Sequence, residues 1–239
     1  MRIVSYGGSY IGRRANNEDS IGRRIPRDPL VLQDKGRLYV VCDGMGGTKG
    51  GEIASQLAVE TVMDRYYANA GDGESCLQTA IREASAVIAA RAEKDAGLSD
   101  MGSTVVALVV LPDRIIHAHV GDSRVYLLRD GKLARLTRDH LHILEDLGVS
   151  EEEAENHPYK NILSRALGYL DACEPESGLT ACRPGDRLLL CSDGLSDAVT
   201  RDEIGAALEL STPSRRSRCC LAPRRARTLT ITRPRSSYS

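Results

Sequence analysis

The sequence predicts an α+β domain in which helices pack on a largely antiparallel sheet. Three observations predict it. Short runs rich in Val, Ile and Leu recur between turn residues. An Asp-Gly pair joins two of those runs. Two longer stretches repeat apolar residues every three or four positions.

The strand-like runs are residues 38–42, 104–111, 114–120, 124–128 and 187–191. Asp130-Gly131 leads from the fourth of them into 133–136, a strong hairpin signal. Residues 51–70 place Ile53, Leu57, Val62 and Tyr66 on one helical stripe, and residues 74–96 do the same with Leu77, Ile81, Ala84 and Ile88. Residues 142–156 are acidic and weakly apolar and read as a short exposed helix or lid.

The chain has 239 residues, enough for one sizeable domain with or without a tail. It contains no Phe and no Trp, so its core must come from Val, Leu, Ile, Ala and Tyr. A net charge of −1 gives no global attraction to nucleic acid. The average conceals an asymmetry. Residues 1–210 hold all 33 acidic residues and 24 of the 32 basic ones, whereas 211–239 hold eight Arg and no acid. From Ser211 on, Arg, Ser, Thr and Pro dominate and periodicity stops, so composition predicts a disordered tail after a domain over 1–210. Seven scattered cysteines without a Cys-x-x-Cys pair speak against a disulfide framework or a zinc site. With no apolar h-region and no long apolar span, the expectation is a cytoplasmic monomer away from membranes.

Three motifs place Asp directly after a strand-like run. They are Val41-Cys42-Asp43-Gly44, Val120-Gly121-Asp122-Ser123 and Cys191-Ser192-Asp193-Gly194. One such motif reads as a turn. Three of them can surround a hard cation, because a strand end holds its side chain rigidly and Mg²⁺ and Mn²⁺ prefer oxygen ligands. A fourth element, Arg14-Ala15-Asn16-Asn17-Glu18-Asp19, sets a guanidinium before two carboxylates, which suits a phosphate beside a metal.

These motifs resemble the metal-dependent protein phosphatases of the PPM (type 2C) family in their compact bacterial form. The resemblance covers roughly residues 4–204. It also rests on Gly51-Glu52-Ile53-Ala54-Ser55, Met101-Gly102-Ser103-Thr104, Leu136-Thr137-Arg138-Asp139-His140 and Leu163-Ser164-Arg165-Ala166-Leu167-Gly168, in family order. It implies a four-layer α-β-β-α sandwich of two mainly antiparallel sheets. It implies hydrolysis of phosphoserine and phosphothreonine in proteins at two Mn²⁺ or Mg²⁺ ions, with a weaker third. Asp43 would bridge two metals, with the Gly44 carbonyl in one shell. Asp193 would bind the second metal, and Asp122, with Asp193 and Asp197, would hold the third. Glu18 would act through water supported by Asp19, and Arg14 would grip the substrate phosphate. Two such cations roughly 3.5–4 Å apart lower the pKa of a bridging water and stabilise in-line displacement. The position where some relatives carry His is Met45, and His140 is expected to be structural. Phosphorylated proteins, and a cognate Ser/Thr kinase, are the implied partners.

The family pattern fails at the C-terminus. A final Asp-Asn, whose Asp ligates the second metal, should precede the last strand, but the chain reads Arg225-Ala226-Arg227-Thr228-Leu229-Thr230-Ile231-Thr232. No final strand is recognisable. Two explanations stand, a frame change near Ser211 or a genuine basic tail that binds an acidic partner or membrane surface. A catalytically impaired pseudophosphatase that holds phosphoproteins is the alternative function. A third reading is a regulatory domain that uses neither metal nor phosphate.

Overall fold

The structure is a computed structural model that describes residues 3–9, 11, 16–154, 157–169, 173–210 and 228–232, with backbone alone at 47–49, 151–152 and 228–232. One sheet runs in the order β1 (Val4–Gly8), β11 (Thr228–Thr232), β10 (Arg187–Cys191), β7 (Arg124–Arg129) and β8 (Lys132–Arg135). The other runs β2 (Asp19–Arg24), β3 (Arg37–Met45), β5 (Val105–Val110), β6 (Arg114–Val120) and β9 (Glu176–Ala181), with β4 (Gly102–Ser103) on the end of β3. All of these pairings are antiparallel.

Alternation along the strands builds the layers. Leu38, Val40 and Cys42 of β3 face the helices α2 (Gly47–Ala68) and α3 (Gly73–Ala92), while Tyr39 and Val41 face the other sheet. In β10, Leu188 and Leu190 face inward between the sheets, and Leu189 and Cys191 pack under α6 (Asp193–Ser196) and α7 (Arg201–Leu210). The result is helices, sheet, sheet, helices, the four-layer sandwich that the family resemblance implies. Tyr39, Tyr66 and Tyr126 are the largest fully buried side chains and fill the place of the missing Phe and Trp.

Local chemistry sets the boundaries. Asp72 caps α3 by accepting from Glu74 N and Ser75 N, both at 3.0 Å. Thr200 and Glu203 form a reciprocal capping box at α7, with Thr200 N donating to Glu203 Oε2 at 2.8 Å. Asp130 (φ 50) and Gly131 (φ 74) turn the β7–β8 hairpin, as their sequence predicts.

The structure corrects two expectations. The segment after Ser211 is not without a strand, because Thr228–Thr232 pairs with β1 on one side and β10 on the other. Alternating Thr, Leu, Thr, Ile, Thr has the β-branched character a strand favours, and it satisfies the backbone edges of both neighbours. The rest of the tail, residues 211–227 and 233–239, lies outside the described residues. The lid expected over 142–156 contains two short helices, α4 (His142–Glu145) and α5 (Glu151–Ala154), and it is not merely exposed. Leu141, Ile143, Leu144 and Ala154 form their own buried cluster beneath it.

One arginine ties the two sheets together. Arg129 of β7 holds Asp186 through two contacts of 2.8 Å and also donates to Ala181 O in β9. Asp186 accepts in addition from Arg183 N at 2.7 Å and is 2% exposed. Removing one partner of such a pair leaves a charge without its counterion. Asp186→Ala is expected to lower unfolding stability by about 2–3 kcal/mol, after allowance for the partial exposure of Arg129, as read from urea unfolding.

Candidate metal centre

The four strand-end aspartates converge at one end of the sandwich. In the first sheet pair, Asp19 opens β2 directly opposite Asp43 in β3. In the other sheet, Cys191 of β10 pairs with Arg124 of β7. Just beyond these ends stand Asp193, the first residue of α6, and Asp122, close enough that the charge of Asp193 acts on Asp122. The two pairs meet across the sheet gap. Burial first, then the charges of Asp19 and Asp193, raises the proton affinity of Asp43. Burial, then the charges of Asp193 and Asp139, raises that of Asp122. Among the described residues no Lys or Arg forms an ion pair with Asp43, Asp122 or Asp193. Arg124 offsets part of the charge at Asp122, but a cluster of oxygen donors that destabilise one another as anions fits a hard divalent ion.

Backbone contacts bring Glu18 and Gly44 into the same place. Gly44 N donates to Glu18 O at 3.0 Å. A Cβ on Gly44 would lie 1.9 Å from Gly51 O, and one on Gly51 would lie 2.9 Å from the Glu18 carboxyl carbon. Only glycine at both positions lets the first turns of α2 close against the strand end that bears Asp43.

Hydroxyl groups that the sequence did not single out hold the carboxylate loops. Asp43 N donates to Thr104 Oγ1 at 3.0 Å, and Thr104 Oγ1 lies 2.8 Å from Ser123 Oγ. Because Thr104 Oγ1 accepts from Asp43, its own hydrogen is available to Ser123, beside Asp122. Ser103 Oγ donates to Asp43 O at 3.0 Å, and Ser192 Oγ donates to Asp19 Oδ2 at 3.3 Å. The Met-Gly-Ser-Thr motif marked this stretch. Its role was hidden because Thr104 and Asp43 are 61 residues apart in sequence.

The remaining candidates sit differently. Asp197 lines the same cleft as Asp122 and Asp193, but it is half exposed and pairs with Lys160 at 3.7 Å. Arg14 lies outside the described residues. His140 is buried behind the Asp122 loop, where its Nδ1 accepts from Gly121 N at 3.2 Å and its ring stacks on His119 at 4.5 Å, which fits a structural role. His119, His140 and Glu176 together have metal-like proximity. The Gly121 bond, however, fixes the neutral His140 proton on Nε2, so this ring has no lone pair to offer a metal. Cys42, Cys76, Cys173, Cys182 and Cys191 are free thiols, and burial raises the proton affinity of Cys42 and Cys191, which keeps them protonated.

A family model described as Protein phosphatase 2C matches residues 6–217. The serine/threonine protein phosphatase PstP of Mycobacterium tuberculosis is 40% identical over 202 residues, which is 82% of this chain and 37% of PstP. The chain thus spans little more than a third of that relative's length. The serine/threonine phosphatase stp of Listeria innocua is 39% identical over 204 residues, covering 82% of this chain and 79% of stp. The solved catalytic domain of PstP in complex with two manganese ions superposes with a TM-score of 0.76 at 34% identity, covering 97% of each chain. The chain belongs to the protein phosphatase 2C family.

Proposed function

We propose that the chain hydrolyses phosphoserine and phosphothreonine in proteins, with two Mn²⁺ or Mg²⁺ ions held by its strand-end aspartates. The observation that carries this reading is the convergence of Asp43 on β3 with Asp193 just past β10, near enough that Asp19, Asp193 and Asp122 all raise the proton affinity of Asp43. When bound, the ions supply Lewis acidity toward the phosphoryl oxygens and lower the pKa of coordinated water. The chain's own groups do the rest. Asp43, the Gly44 carbonyl and Asp193 would hold the two ions, and Asp122, with Asp193 and Asp197, would hold a weaker third. Glu18 orients water with Asp19 behind it. Arg14 neutralises the phosphate, as a guanidinium does through paired donors. No covalent phosphoenzyme is required, so the buried thiols have no catalytic task.

The domain spans residues 1–210, and the basic segment 211–239 beyond it arises from a frame change near Ser211. The protein works in the cytoplasm as a monomer, opposite a Ser/Thr kinase.

One observation favours a second reading. The family match ends at residue 217, and arginines stand where the family's last ligand is expected. With one carboxylate fewer the second metal binds more weakly, and the chain becomes a binding module for phosphoproteins. Turnover of a phosphothreonine peptide at millimolar Mn²⁺ separates the two. No turnover with peptide binding intact favours the binding module. An Asp-Asn-x-Thr in another frame of the encoding DNA near Ser211 would assign the tail to a frame change.

Asp43→Asn is expected to abolish Mn²⁺-dependent turnover while leaving the circular dichroism spectrum unchanged, and wild-type activity in this variant would move the metal centre elsewhere. Thr104→Val is expected to weaken Mn²⁺ binding on the order of tenfold in a calorimetric titration, because groups that orient a ligand are worth that much. Thr104→Ser, which keeps the hydroxyl, should restore it. Equal Mn²⁺ affinity in wild type and Thr104→Val would assign the hydroxyl to the fold alone.

A further inference from the structure

A cavity of about 580 Å³ runs from the metal centre under the lid segment of α4 and α5, hereafter the flap, to the start of α7. At one end it is lined by Asp122 and Asp193. Leu141, Leu144 and Ala154 of the flap face Val199 and Ile204 across it. Four cations, Arg124, Arg135, Lys160 and Arg201, share its walls. The acids other than the proposed metal ligands are Asp139 and Asp202. Asp139 is taken up by Arg124 through Nε and Nη2, with Arg135 at 3.4 Å.

Arg201 is out of place for structure alone. It is the first residue of a ten-residue helix, where the helix dipole disfavours a cation, and it makes no ion pair with any described residue. Thr200 and Glu203 cap that helix without it. Lys160 faces it from the flap side, and its one described partner is the half-exposed Asp197 at 3.7 Å. Once metals neutralise Asp122, Asp193 and Asp197, cations outnumber acids along the cavity. Its volume suits a few side chains, and its walls combine apolar and cationic surface.

We propose that this cavity is a substrate subsite that selects an acidic side chain, carboxylate or second phosphate, flanking the phosphorylated residue. Lys160 and Arg201 are its specificity-determining cations. The flap's apolar underside receives the aliphatic stem, and the two cations receive the charge. The inference rests on the phosphatase reading, since it assumes the phosphorylated residue lies at the aspartate cluster.

The test uses phosphothreonine peptides identical except for two flanking Glu, two flanking Gln, two flanking Lys or one further phosphothreonine. Both kcat/KM with Mn²⁺ and the Kd from fluorescence anisotropy are measured. Wild type should favour the Glu or doubly phosphorylated peptide over the Gln peptide by about fivefold, the scale of two partly exposed charge contacts. The larger of those two ratios identifies which anion the subsite takes. In Arg201→Glu and Lys160→Glu the ratio should fall to one or below, with the Lys peptide now preferred. Arg201→Gln provides a milder variant, with melting curves to verify folding. Equal Kd for the Glu, doubly phosphorylated and Gln peptides in wild type, or a ratio unchanged in folded variants, overturns the subsite. If wild type turns over no peptide, the hydrolysis reading falls, and the Kd ratios still decide the subsite.

Discussion

Aspartates delivered by two different sheets crowd one end of the sandwich, and their mutual repulsion is the constraint under which the rest of the molecule is built. Asp43 feels burial first and then Asp19, Asp193 and Asp122. A bound cation would relieve that repulsion. The opposing force lies in the layer between the sheets, where Tyr39, Val41, Val106, Leu108 and Leu190 are buried. Each such side chain contributes roughly 1.5–3 kcal/mol on burial, so a few of them outweigh one unfavourable carboxylate contact. The apolar layer thus fixes the spacing of the two sheets, and that spacing brings Asp43 to Asp193.

Holding the sheets at a distance is not sufficient to fix side chains. The two carboxylate loops are also tied through Thr104 and Ser123, both nearly fully buried. A buried hydroxyl left unpaired is unfavourable by about 1–3 kcal/mol, so this chain resists rearrangement of either loop alone. Glycines 44 and 51 complete the arrangement from the helix side, since a methyl group on either would push α2 off the strand end or displace the Glu18 carboxyl. The Asp43-Gly44 motif therefore has two separable halves, a ligand and a clearance.

The sequence displayed these parts unevenly, for physical reasons. Central strands are buried on both faces, so β5, whose six residues are all buried, stands out as an apolar run. Peripheral strands carry weaker signals. β1 and β9 have no fully buried residue, and β2 has two. β11 was masked by the arginine-rich composition around it. The aspartates at strand ends were legible because the strand before each of them was. The hydroxyls and the Arg129–Asp186 clamp were not, because 61 and 57 residues separate the partners, and only the folded register joins them. Arg201 could be recognised only once α7 had a defined start, since a lone surface arginine carries no information in sequence.

The C-terminal strand separates two requirements that one segment meets in the family as the sequence resemblance describes it. Filling the gap between β1 and β10 needs backbone donors and acceptors in an extended segment, and Thr-Leu-Thr-Ile-Thr supplies them in register from Thr228↔Cys191 to Thr232↔Arg187. Supplying the last metal ligand needs a carboxylate just before that strand, and no acidic residue follows Glu209. The first requirement tolerates many sequences because it is met by the main chain. The second tolerates almost none because it depends on one side chain. A changed C-terminal segment can therefore keep the sheet closed and the apolar layer intact while it weakens the metal centre, and the fold alone does not guarantee the chemistry.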